Sequence, residues 1–252
     1  MKINSKIKKY LIIILIILGL VVVRQIFIVL TQPYIEKQSI KWQPELVSVD
    51  ALLPEELKAF NLNKNLIDFY NQKYIFVVVW KNQPELVVHL ILIGPDKKGL
   101  AVLKSNFDLN ERLTSDYGLN LTQTPEFLET KDINGDGLKE IFLNLGVGGA
   151  YTNDIGILNL KDEKIDWIWL ETSDGNKMPA IFSQGSSVRN ALIFQVVPEK
   201  YQLVQYLGKS EDGLNWQWQA EAYVLSGEVF QYDPALSEEL SQKGPPAESQ
   251  TF

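Results

Sequence analysis

Residues Asp132-Ile133-Asn134-Gly135-Asp136-Gly137-Leu138-Lys139-Glu140 place oxygen donors at every second position of a nine-residue stretch. Hard cations such as calcium take six to eight oxygen ligands, and a short loop supplies several by alternating carboxylate, amide and backbone carbonyl groups. The candidate metal ligands are Asp132, Asn134, Asp136, Leu138 through its carbonyl, and Glu140. By background composition the pattern D-x-[DN]-x-D-G-x-x-[DE] arises by chance in roughly one chain of this length per thousand. The competing reading is a glycine-containing hairpin turn, because Asp, Asn and Gly also favour turns on their own account. An EF-hand needs a bidentate Glu at the twelfth position, which here is Leu143, and needs a helix afterwards. The residues that follow, Ile141-Phe142-Leu143-Asn144-Leu145, are apolar and strand-like instead.

Such a loop has to be held by strands, and strand-like runs dominate the chain. They cover 74–80, 86–93, 100–104, 138–145, 155–160, 165–171, 191–197, 201–207, 216–224 and 228–232. The connections 81–84, 95–99 and 226–227 are hairpin-sized, too short for the crossover that parallel strands require, so the strands are expected to pair antiparallel. Three short peripheral helices are expected at 54–60, 109–117 and 234–242; the first opens with Pro and two Glu, as helix starts prefer. The expected fold is therefore mainly β.

The loop resembles the calcium loop of FG-GAP and VCBS type repeats, found in integrin α-chain propellers and many bacterial surface proteins. The resemblance covers D-I-N-G-D-G-L-K-E-I-F and its flanking strands. It implies that the loop joins two antiparallel strands and that Asp132, Asn134, Asp136, the Leu138 carbonyl and Glu140 ligate calcium. That family usually repeats the motif around a propeller. Here Asp174-Gly175 and Asp212-Gly213 repeat only the central dipeptide, and Leu170 and Gly208 stand where a first Asp would be. A single copy argues against a closed propeller.

Other residues carry weaker chemistry. Trp167 with Trp169, and Trp216 with Trp218, put two indoles on one side of a strand, either as a sugar-stacking platform or, by the alternation around the second pair, as core. Gly146 to Thr152 reads as a flexible hairpin loop without the features of a phosphate loop. His89, the sole histidine, lies in an apolar run, and with no G-x-S-x-G pattern it is a packing residue rather than a catalytic base. Several-His or Cys zinc sites and thiol nucleophiles are excluded, because the chain has one His and no Cys. Carboxylate-pair hydrolysis stays open, since 31 acids allow many pairs.

The N-terminus states a location. Lys2, Lys6, Lys8 and Lys9 precede an apolar run from Tyr10 to Leu30, 21 residues interrupted at Arg24-Gln25. About 20 apolar residues cross a bilayer core as a helix, and Arg24 is near enough to the outer end to snorkel. The sequence after Val23 offers no small-residue cleavage site, so an uncleaved signal anchor is expected. Clustered lysines keep residues 1–9 cytoplasmic and leave the rest extracytoplasmic, in a periplasm, at a cell surface or in a lumen. Expected segments are a span at 10–30, a linker at 31–44, a β domain at 45–243 and a disordered tail at 244–252.

Beyond residue 30 the chain has 19 basic and 31 acidic residues, against a net charge of −7 overall. Such a surface disfavours nucleic acid and suits divalent cations. The expected function is a membrane-anchored extracytoplasmic binding or structural module with a structural calcium site. Its partners would be membrane lipid, through the helix, and a protein or glycan. The alternatives are a surface-tethered carboxylate-dependent hydrolase acting on polysaccharide, and an assembly partner of a membrane complex.

Overall fold

In the computed structural model the described residues are 42–246, without Tyr70, Ala150, Tyr151 and Val188. The expected span at 10–30, the cytoplasmic residues 1–9, most of the linker and the tail beyond residue 246 lie outside them. Among the described residues no helix is long and apolar enough to cross a membrane. The larger of two compact units comprises 44–94 with 101–252, and the turn at 95–100 belongs to the smaller. In that turn Asp96 Oδ1 accepts from the N–H groups of Lys98 and Leu100, both at 2.8 Å.

The strands of the larger unit are β1 (Asn61–Phe69), β2 (Gln72–Lys81), β3 (Val87–Pro95), β4 (Ala101–Asp108), β5 (Glu126–Lys131), β6 (Glu140–Gly149), β7 (Thr152–Lys161) and β8 (Lys164–Trp167). They continue as β9 (Trp169–Glu171), β10 (Lys177–Pro179), β11 (Ile181–Ser186), β12 (Asn190–Val197), β13 (Gln202–Ser210), β14 (Trp216–Ser226) and β15 (Val229–Tyr232). Helix α1 (Leu109–Tyr117) follows β4, and α2 (Pro234–Lys243) follows β15. Both helices start on an aspartate: Asp108 accepts from the Glu111 N–H and Asp233 from the Leu236 N–H, each satisfying a backbone donor the helix cannot. Gly118 ends α1 at φ 73°, the left-handed position glycine occupies freely. The helix expected at 54–60 is only a 3₁₀ turn, Glu55–Leu57, because the following residues enter β1.

The strands form two open sheets. One has four strands in the order β1-β2-β3-β4; the other has eleven, in the order β10-β9-β15-β14-β13-β12-β11-β7-β6-β5, with β8 paired to β7. Neither order is a ring of four-stranded propeller blades. Pairing is antiparallel with one correction to expectation: β15 runs parallel to β9, with Phe230 opposite Leu170. These two strands are far apart in sequence, so no short connection constrains their direction.

The two sheets meet face to face. Ile67, Phe76, Val78, Leu90 and Leu92 of the small sheet share a core with Ile141, Leu143, Leu158, Leu160 and Trp167 of the large one. A second core on the other side of β6 and β7 gathers Ile133, Phe142, Ile157, Ile168, Phe182, Leu203 and Phe230. Alternate residues of β6 therefore feed opposite cores, as period-two side chains require. The β7–β8 turn, Asp162-Glu163 at φ 51° and 60°, has both central residues left-handed, the geometry that matches strand twist. Glu163 also ties the sheets together, accepting from Tyr74 Oη and Lys104 Nζ, both at 2.7 Å.

Candidate metal centre

The loop expected to ligate calcium joins antiparallel neighbours. Lys131, the last residue of β5, pairs with Glu140, the first of β6, and residues 132–139 make the connection. Gly135 at φ 74° and Gly137 at φ 82° provide the two left-handed positions that fold it back. The loop's side chains bond its own backbone. Asp132 Oδ1 accepts from the Gly135 N–H at 2.7 Å and its Oδ2 from the Gly137 N–H at 3.1 Å. Asn134 Oδ1 accepts from the Asp136 N–H at 3.0 Å, and Asp136 Oδ1 from the Leu138 N–H at 2.7 Å. Asp132, Asn134 and Asp136 thus each turn a side-chain oxygen onto the loop's own backbone N–H groups.

Glu140 differs from the other candidates. Its residue is 2% exposed, while Asp132, Asn134 and Asp136 lie at the surface or near it. Its Oε2 accepts from the Ile133 N–H at 2.9 Å, and Ile133 itself is sunk in the second core. Burial pushes the Glu140 carboxyl up to about 7; the N–H groups of Ile133 and of Glu140 oppose the rise, and the charges of Asp136 and Asp132 add to it. A buried carboxylate beside two further carboxylates is expensive unless a cation or a proton balances it.

The donor set fits calcium, being three carboxylates, an amide oxygen and a backbone carbonyl, with no nitrogen or sulfur donor that would favour a transition metal. In the hydrogen-bonded arrangement described, however, no three Asp, Glu, His or Cys side chains among the described residues converge into a metal-holding group. The carboxylates are turned to the loop's N–H groups.

Four of the five candidates, Asn134, Asp136, Leu138 and Glu140, also line a half-open cleft of about 1070 Å³. Opposite them stand the β7–β8 hairpin, with Asn159, Lys161, Lys164 and Asp166, and the β14–β15 hairpin, with Gly227 and Glu228; Trp169 and Lys177 complete the wall. Asn159 pairs with Asp166 across β7 and β8, and the β6–β7 register through Ile141 and Leu158 carries the same row onward to Glu140. Sequence patterning missed this cleft, because three hairpins far apart in the chain build it. The alternation of Asn159, Lys161, Lys164 and Asp166 with apolar neighbours was its only trace.

The remaining candidates resolve as follows. Trp167 is fully buried, edge-on to Phe107 at 5.6 Å, and serves the first core. Trp169 is half-buried in the cleft. Trp216 and Trp218 are half-buried and stacked on each other at 5.6 Å, with Trp218 lying over Gly208. Neither pair is wholly core nor a free platform. His89 Nδ1 lies 3.0 Å from Asn106 Oδ1 and its ring meets Phe60 edge-on, as a satisfied packing residue does. The segment at Gly146 to Thr152, expected as a loop, is strand up to Gly149 and again from Thr152, with bulges after Asn144 and Val147. Glycines here bend the strand rather than end it; Gly146 sits at φ 123°.

Comparison of the chain with protein-family models, with curated proteins and with solved structures gives no match.

Proposed function

We propose that the chain is a membrane-anchored extracytoplasmic binding module in which calcium, held by Asp132, Asn134, Asp136, the Leu138 carbonyl and Glu140, fastens the β5–β6 hairpin to the second core. The observation that carries this reading is Glu140. Its carboxylate is buried between the loop and the core with Asp132 and Asp136 as electrostatic neighbours, and its backbone hydrogen bonds do not offset the burial. A divalent cation would relieve this repulsion and replace the loop's internal hydrogen bonds. The apolar run from Tyr10 to Leu30 behind its lysines supports the anchor, and FG-GAP-like spacing supports the ligand set.

Calcium supplies structural stabilisation in this reading, by binding the folded state alone. Loops of extracellular type bind at roughly 0.1 to 1 mM, so 10 mM calcium adds about 1.4 to 2.7 kcal/mol. For a chain of this size that is a rise in Tm of about 3 to 10 °C. Thermal melts of the purified chain in detergent, with 10 mM calcium and with EGTA, test it. Coincident melts reject the calcium site.

A further inference from the structure

Asn134 and Gly135 form the chain's one Asn-Gly pair, in the connection between β5 and β6. The amide carbon of an asparagine side chain is an electrophile, and the nearest nucleophile to it is the backbone nitrogen of the next residue. Attack by that nitrogen closes a succinimide ring. A side chain on the next residue crowds the attack, and glycine has none. Gly135 is exposed and Asn134 half-buried, so water reaches the pair.

The loop's hydrogen bonds bring the parts of that reaction together. Asn134 Oδ1 accepts from the Asp136 N–H at 3.0 Å, and a side chain bonded two residues ahead folds back over the N–H between, here that of Gly135. The Gly135 N–H donates to Asp132 Oδ1 at 2.7 Å. A general base has to lie within about 2.6 to 3.2 Å of the atom whose proton it takes, and Asp132 meets that condition. Asn134 Nδ2, the nitrogen that has to leave, donates to Asp136 Oδ2 at 3.2 Å.

Two other asparagines supply the contrast. Asn176 and Asn215 are exposed in turns, and each donates its Nδ2 to an aspartate, Asp174 and Asp212 respectively. Lys177 and Trp216 follow them, so in both places a side chain stands beside the attacking nitrogen.

We propose that Asn134 is a site of spontaneous modification, deamidating through a succinimide with Asp132 as the base. The Gly135 nitrogen attacks Cγ of Asn134 while its proton passes to Asp132. The new N–Cγ bond replaces the Cγ–Nδ2 bond, and Nδ2 leaves as ammonia with the proton that Asp132 returns. Water, the only co-reactant, then opens the ring. Addition at Cγ leaves aspartate in an ordinary main chain; addition at the Asn134 backbone carbonyl leaves isoaspartate, with the main chain running through Cβ and Cγ.

Both products loosen the loop. Aspartate puts a carboxylate oxygen where Nδ2 meets Asp136 Oδ2, so a hydrogen bond becomes a repulsion between like charges. Isoaspartate lengthens the main chain between Asp132 and Gly135 by one methylene and displaces the hydrogen bond that joins them.

The test incubates the purified chain in detergent with EGTA at pH 8 and 37 °C for several weeks. Trypsin then releases residues 132–139, between Lys131 and Lys139, as one peptide for mass spectrometry, and a zero-time sample corrects for conversion during digestion. The expected result is conversion of Asn134 to aspartate and isoaspartate, the latter labelled by an isoaspartyl methyltransferase, with Asn176 and Asn215 intact. Gly135→Ala, which adds a side chain beside the attacking nitrogen, slows the conversion several-fold. Asp132→Asn keeps an oxygen for the Gly135 N–H but removes the base, and slows it also. The aged chain melts below the fresh one. A loop peptide that stays intact, or converts no faster than Asn176 and Asn215, overturns the inference. Aspartate without isoaspartate rejects the succinimide route, and a rate unchanged or raised in Asp132→Asn rejects Asp132 as the base. Calcium is chelated throughout, so these outcomes are independent of whether the loop binds it.

Discussion

The N–H of Ile133 donates to Oε2 of Glu140 at 2.9 Å, joining the second residue of the loop to its last. Ile133 is anchored in the second core, and Glu140 begins β6. The pair closes the loop at its base, and it places a carboxylate where water is excluded. In the proposed calcium site, loop closure and metal binding would draw on the same side chain.

That arrangement predicts an unusual pH dependence. Because the Glu140 carboxyl is raised from 4.5 to about 7 in the fold, the folded chain holds this proton at pH values where the unfolded chain has lost it. In EGTA the Glu140 contribution is therefore most favourable below about pH 4.5, declines between 4.5 and about 7, and is constant above that. The decline integrates to about 3 kcal/mol. Denaturant unfolding from pH 4.5 to 8 in EGTA, compared between the parent and Glu140→Gln, isolates it: the parent loses stability relative to the variant as pH rises. Parallel curves would remove Glu140 as the cause.

Glu163 acts with the opposite sign. Desolvation would raise its carboxyl, but the hydrogen bonds from Lys104 and Tyr74 and the Lys104 charge prevail and hold it below the usual Glu range. Its contribution is present above the ordinary value and is lost as pH falls through the depressed one. Glu163→Gln is expected to flatten the acid limb of the unfolding curve and leave the limb between pH 5 and 7 unchanged, a separation that acid titration by circular dichroism can check.

Removing the Glu140 charge separates the proposed calcium binding from fold stability. Glu140→Gln keeps a carbonyl to accept the Ile133 N–H but deletes the buried charge. At pH 8 in EGTA the variant is expected to melt above the parent, by up to the same about 3 kcal/mol. In 10 mM calcium the order reverses or closes, because the variant gains little from the ion. A variant that melts lower in both buffers would mean that Glu140 matters only as a packing group.

Gly135 tests the loop's backbone. It sits at φ 74°, and a Cβ added there would meet the ring of Tyr201 at 2.5 Å. The Tyr201 ring is exposed enough to swing aside, so backbone strain dominates. Gly135→Ala is expected to cost about 1 to 2 kcal/mol, with or without calcium. Equal thermal melts for parent and variant would show that the loop relaxes freely.

Much of the fold was legible in hydrophobic runs. The expected helix at 109–117 coincides with α1, and the runs at 74–80 and 155–160 lie inside β2 and β7. What escaped notice was polar. In β1, Asn61, Asn63, Lys64 and Asn65 depress strand propensity, yet the segment pairs along its whole length with the apolar β2. Strand β5 is a partly exposed edge whose pairing with β6 is set by the loop between them. The five loop candidates could be read because their donors follow one another locally. The cleft could not, since Glu140, Asn159 and Asp166 come into one row only through the pairing of β6, β7 and β8.

Calcium binding itself is the most direct measurement. Isothermal titration of the calcium-free chain with calcium chloride is expected to give one site at roughly 0.1 to 1 mM, and Asp136→Ala is expected to abolish it. A flat titration of the parent, or an unchanged isotherm in the variant, would contradict the account.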